Sequence, residues 1–130
     1  ALTYDSWSGT EEEQMKVSFR DARLEQISKV LPTADSQGES LGLLKFSQQG
    51  MQALFAEAEV ALSEGGENQW APAAIARLAQ HQAIVGIDVA GLPWVEIDFP
   101  EDLHQARHIV WPLIAPAALP QTAQLQRKVS

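Results

Sequence analysis

A run that alternates apolar and polar residues and then meets a proline leaves few ways to fold. Residues 92–103 are such a run. In extended chain, Val95, Ile97 and Phe99 fall on one side and Trp94, Glu96 and Asp98 on the other. The pattern predicts a short, half-buried strand with two carboxylates on one face. Gly91-Leu92-Pro93 is a turn signal ahead of it, since proline fixes φ and glycine frees it. Pro100 ends a strand and suits the first turn of a helix, where the dipole favours Glu101 and Asp102. The helix is predicted from Glu101 to about Trp111, with Leu103, Ala106, Ile109 and Val110 inward.

Two carboxylates at the C-terminal end of a strand are placed to hold a divalent cation. Mg²⁺ takes one or two protein carboxylates and completes its shell with water and phosphate oxygens. Open α/β sheets bind ligands at the carboxyl ends of their strands. Glu96 and Asp98 are therefore the candidate metal ligands. The same alternation also fits a solvated face with Asp98 capping the helix.

The rest of the composition narrows the class. At 130 residues the chain can build one modest core. A net charge of −8 argues against non-specific nucleic-acid binding. With no cysteine, disulfides and thiolate metal sites are excluded. No apolar run approaches the roughly 18 residues of a membrane helix, so no membrane partner is expected. The start has no basic-then-apolar leader, and a cytoplasmic location is expected. The abrupt opening without Met suggests a processed product or a piece of something longer. His104 and His108 share the spacing of a two-histidine metal pair, but no nearby glutamate completes a known pattern, and late-helix surface placement is the expectation.

Taken in order, residues 1–14 read as irregular and acidic, Glu11-Glu12-Glu13 being a solvated face or first helical turn. Met15–Phe19 and Leu24–Lys29 read as a hairpin, turning at Asp21-Ala22 or Ala22-Arg23. A loop is expected from Leu31 to Glu39 and a buried strand from Ser40 to Phe46, with Gly42 marking close approach of a backbone or ligand. Ser47 reads as the N-cap of a helix to Leu62, with Met51, Leu54, Phe55, Ala58 and Leu62 on the buried stripe and Ser63-Glu64-Gly65-Gly66 ending it. A second helix is expected over Trp70–Gln80, with Ala74, Ile75, Leu78 and Ala79 inward, then a strand over Ile84–Val89. Residues 1–114 form the expected α/β domain; 115–130 are a Pro-, Ala- and Gln-rich tail expected to pack loosely. About five strands with flanking helices make the fold class mixed α/β.

Three segments together resemble a known family: Ser40-Leu41-Gly42-Leu43-Leu44-Lys45-Phe46-Ser47, then Trp70, then Asp88 followed by residues 93–103. They are similar to the C-terminal half of nucleotidyltransferases, nearest the sugar-phosphate and phosphocholine cytidylyltransferase branch. The likeness spans about Met15 to Pro112; the run from Trp94 to Leu103 is its specific part. The resemblance implies a Rossmann-like α/β fold with a mixed sheet and flanking helices. It implies transfer of a nucleotidyl group from an NTP to a phosphorylated small-molecule acceptor, with Mg²⁺ as cofactor. By that likeness Asp98, with Glu96 beside it, matches the late metal-binding acid. Lys29 matches the catalytic lysine that reaches acceptor phosphate, and Trp94, with Trp70 more weakly, matches the aromatic wall of the acceptor pocket.

The family's Gly-x-Gly-x-Arg loop and early Asp metal site have no match in these residues. The chain is thus expected to be the second half of the domain, and to associate with itself or with a missing N-terminal half through exposed sheet edges. Ordinary packing for the tryptophans and a solvated hairpin end for Lys29 are the plainer readings. A non-catalytic α/β binding or oligomerisation module, or a stand-alone small α+β domain, are the alternatives in function.

Overall fold

A computed structural model describes residues 1–8, 11–66 and 71–118, and the side chains of these up to residue 115. The fold is mixed α/β. The chain divides into two compact units, Ala1–Ala90 and Gly91–Ser130.

The first unit is built on a five-stranded sheet. Its strands are β1 (Leu2–Asp5), β2 (Lys16–Arg20), β3 (Arg23–Ser28), β4 (Gly38–Leu44) and β5 (Gly86–Asp88), in the spatial order β3-β2-β4-β1-β5. Only β1 and β5 run parallel; the other neighbours are antiparallel. The hairpin β2–β3 forms where alternation predicts it, Val17 facing Ile27. Its turn puts Asp21 and Ala22 at φ 51° and 61°. Two left-handed residues in a two-residue loop match the twist of the strands they join.

Four expectations about the strands are corrected. Residues 2–5 are not irregular: β1 lies inside the sheet, between β4 and β5. Four residues are too few to display a period, yet Leu2 is fully buried and the Tyr4 ring packs 4.5 Å from that of Phe19. The loop after Leu31 ends earlier than Glu39, because Gly38 and Glu39 already pair with Val17 and Lys16. It also holds a 3₁₀ turn at Thr33–Asp35. Nor is β4 buried throughout, Leu43 being 67% exposed. Gly42 does not mark a close approach: its φ is 71° and a Cβ there would meet nothing within 4 Å. The tight glycines are Gly38, at φ 150°, where a Cβ would stand 2.4 Å from the Asp5 carbonyl oxygen, and Gly86, where it would stand 2.5 Å from the Phe19 ring.

Helix α1 (Gln48–Ser63) starts as expected, Ser47 Oγ accepting the Gly50 amide at 3.1 Å. It ends with Gly65 N–H on Leu62 O and Gly66 N–H on Ala61 O, the paired bonds of a Schellman cap. Its buried face is rotated from the predicted one. Ala53, Leu54, Ala58 and Ala61 turn inward, while Met51, Phe55 and Leu62 are exposed, Phe55 by 61%. Helix α2 (Ala71–Ala79) selects that face: Glu57 of α1 meets Arg77 at 3.2 Å and His81 at 2.9 Å. Ala58, Ala61, Ala71 and Ala74 line the space between the two helices. From α2, Ile75 and Leu78 join Leu2, Val17, Leu24, Ile27 and Ile84 in the core.

In the second unit, residues 93–97 carry no strand. This corrects the predicted strand at Trp94–Phe99. Alternation sets which way side chains point, but a strand exists only with a hydrogen-bonded neighbour, and Pro93 and Pro100 remove amide donors at both ends. Helix α3 (Pro100–Gln105) continues through a π turn (Ala106–Val110) into α4 (Trp111–Ala118). The helix therefore passes the expected end at Trp111 and runs into the segment expected to pack loosely; residues 119–130 lie outside the described ones. The wide turn, in which the Trp111 amide reaches back to the Ala106 carbonyl, immediately precedes Pro112. It also shifts the helical stripe: Val110 is buried and Ala106 half-buried, while Leu103 and Ile109, expected inward, are exposed.

Candidate functional site

The acidic segment belongs to the second unit. Glu96 and Asp98 are both exposed and stand in irregular chain just ahead of α3, not on a strand of the sheet. Asp98 does not cap that helix. Phe99 occupies the N-cap position, and Asp102 reaches back from the third helical residue: its Oδ2 accepts the Asp98 amide at 3.1 Å and the Phe99 amide at 2.8 Å. The cap is thus made by a different carboxylate, and no hydrogen bond or ion pair among the described residues engages the side chains of Glu96 and Asp98. No group of three or more His, Asp or Glu that could hold a metal ion occurs among the described residues.

Trp94 is half-buried and lines an open depression of about 290 Å³, with Pro93, Val95, Val110, Trp111 and Ile114 around it. Trp111 stands where the sequence predicts a helix end; the continuation into α4 makes it a second aromatic wall. Trp70 lies outside the described residues.

Lys29 belongs to the first unit. It follows β3 directly, as expected of a hairpin end, with Nζ 3.4 Å from Glu13 Oε2. Asp88, at the end of β5, ties two loops together. Its Oδ1 accepts the Ser6 amide at 3.2 Å and the Ala90 amide at 2.9 Å. The Ser6 hydroxyl first, then the Ala90 amide, hold its carboxyl below the usual aspartate range. Burial, then the Asp88 charge, pushes the Tyr4 hydroxyl upward. Between the helices, Glu57 and then Glu64 raise the Arg77 guanidinium, which contacts Glu64 at 2.9 Å.

One cluster was not anticipated. Asp5, Glu39 and Lys16 stand in register across β1, β4 and β2, and are 8%, 8% and 2% exposed. Directly opposed residues in antiparallel strands point to one face, so the three form a row. Lys16 Nζ donates to the carbonyls of Glu11 at 3.0 Å and Glu12 at 3.2 Å. Ser8 Oγ donates to Glu39 Oε2 and accepts from Gln14 Nε2 at 2.9 Å. Lys16 and Glu39 sit in ordinary alternation, so only the strand register reveals the row. It fastens Ser8, Glu11, Glu12 and Gln14 to the sheet. Ser18, the next residue on that side of β2, has a buried Oγ with no partner among the described residues.

No protein-family model matches this chain, and no curated protein matches it significantly.

Proposed function

We propose that the chain is the acceptor-binding part of a metal-dependent nucleotidyltransferase of Rossmann-like fold, acting in the cytoplasm on an NTP and a phosphorylated small-molecule acceptor. In this reading Asp98, with Glu96, is the late acid that holds Mg²⁺, and Trp94 walls the acceptor pocket, all within the second unit. When bound, Mg²⁺ neutralises charge on the transferring phosphoryl group; transfer of this kind needs positioning and electrostatics more than covalent chemistry. A tryptophan face attracts a quaternary ammonium by about 0.5–2 kcal/mol, which suits a choline-like acceptor.

The observation that carries the reading is the capping by Asp102. A carboxylate tied up as a helix cap could not take a cation; here the cap is Asp102, and the Asp98 carboxylate stays open to solvent. The two-tryptophan depression is the second support. Calorimetric titration of the chain with Mg²⁺ and CTP, beside Asp98→Ala, tests it: heat in the parent that the substitution abolishes is the expected result. No heat in either protein would favour the second reading, a non-catalytic module. What favours that reading is the apolar surface of the first unit, Leu43 and Ile87 on one side of the sheet and Phe55 on α1. Such surface also suits self-association or pairing with an N-terminal half.

A further inference from the structure

We propose that His104 and His108 form a two-imidazole binding site for a divalent transition metal, Zn²⁺ being the natural probe. The pair is separate from the acidic segment and does not depend on it. Both side chains are exposed on one continuous helix. Their rings lie 4.1 Å apart between centroids, tilted by 32°. The near-parallel rings must turn out of this stack for their in-plane lone pairs to converge, and the four-residue spacing on one helix face lets one ion take a nitrogen from each once they do.

The second observation concerns which nitrogen is available. His108 Nδ1 stands 2.8 Å from the carbonyl oxygen of His104. A carbonyl can only accept, so this contact assigns the proton to Nδ1 and leaves the lone pair on Nε2. Fixing one ring nitrogen by a backbone carbonyl so that the other can bind metal is the usual outer-shell arrangement of metal-ligating histidines. Imidazole suits zinc, copper and nickel, whereas Mg²⁺ demands oxygen ligands. No third His, Asp or Glu joins the pair in a metal-holding group among the described residues. Water fills the other positions, and the ion exchanges rather than staying locked. Zinc so held links α3 to the π turn that follows it.

Calorimetric titration of the full chain with zinc chloride near neutral pH is the test. The parent, His104→Gln, His108→Gln, the double variant and His81→Gln are compared. The expected result is one Zn²⁺ per parent chain, with binding weakened at least about tenfold in each single variant, since losing even an outer-shell partner weakens metal sites about 10–100-fold. His81→Gln, on the first unit, leaves the affinity unchanged, and excess Mg²⁺ does not compete. Zinc also raises the helix signal or melting temperature of the parent and not of the double variant. Circular dichroism of the metal-free variants checks that they fold like the parent. Equal zinc binding by parent and double variant, or none by the parent, overturns the proposal. Neither result bears on Asp98, so this test and that of the nucleotidyltransferase reading fail independently.

Discussion

Replacing Lys16 by methionine is the sharpest test of how the first unit holds Glu11 and Glu12 against the sheet. The substitution keeps a flexible aliphatic stem at a site 2% exposed and removes only the ammonium. Two carbonyls, of Glu11 and Glu12, lose a charged donor at 3.0 and 3.2 Å. Hydrogen bonds to charged groups contribute about 1.5–3 kcal/mol each. The two share one ammonium, so the expected loss is about 4 kcal/mol. A unit of this size has about 5–13 kcal/mol in all, so about a third or more of the margin goes. At a urea slope of about 2 kcal/mol per M the midpoint falls by about 2 M. Urea titration followed by circular dichroism reads it. Adding Glu39→Gln, which weakens the Ser8 contact to the same row, costs less on Lys16→Met than on the parent, because both changes loosen the same segment. A loss under about 1 kcal/mol for Lys16→Met, or full additivity with Glu39→Gln, would refute the row as an interacting set.

Three further outcomes follow from the backbone and from one carboxyl group. Ala22→Gly stabilises the hairpin by about 0.5–1 kcal/mol in urea titration, since the left-handed conformation at φ 61° costs a residue with a Cβ about 1–2 kcal/mol and glycine gives part of that back in the unfolded chain. Gly38→Ala destabilises by about 2–4 kcal/mol in the same assay, the added carbon meeting the Asp5 backbone that cannot retreat without breaking β1–β4 pairing. Asp88, whose folded carboxyl is held below its ordinary range by Ser6 and Ala90, contributes stability that is complete above the unfolded aspartate range and is lost as pH falls through the lower folded value. Unfolding midpoints measured down the acid limb therefore drop more steeply for the parent than for Asp88→Asn.

Local signals in the sequence carried some elements and failed at others for identifiable reasons. The hairpin was legible because alternation and a two-residue turn coincide at Asp21-Ala22. The start of α1 was legible because Ser47 precedes its amides at capping distance, and the α2 face because Ala74, Ile75 and Leu78 keep helical spacing. β1 was missed since a four-residue strand gains its stability from neighbours far along the chain, Leu44 and Gly86 among them. The supposed strand at Trp94–Phe99 had the pattern and lacked the partner. On α1 the apolar residues outnumber the buried positions, so the stripe was ambiguous until the core that Ala53 and Leu54 pack against and the Glu57–Arg77 pair were in place. Of the candidate site, the open carboxylates and Trp94 could be named from sequence; the cap that keeps Asp98 open and the second wall at Trp111 could not, because both depend on where a helix begins and how far it runs. The buried row of Asp5, Glu39 and Lys16 depends on strand register, to which single-strand periodicity is blind.

Paramagnetic broadening by Mn²⁺, which takes the same oxygen ligands as Mg²⁺, tests the central reading most directly. In amide-resolved NMR spectra of the chain, the account predicts that substoichiometric Mn²⁺ broadens signals around Glu96, Asp98 and Phe99, that Mg²⁺ reverses it, and that Asp98→Asn abolishes it. Broadening centred on the exposed Glu11–Glu13 run, with the 94–102 amides untouched, would contradict it.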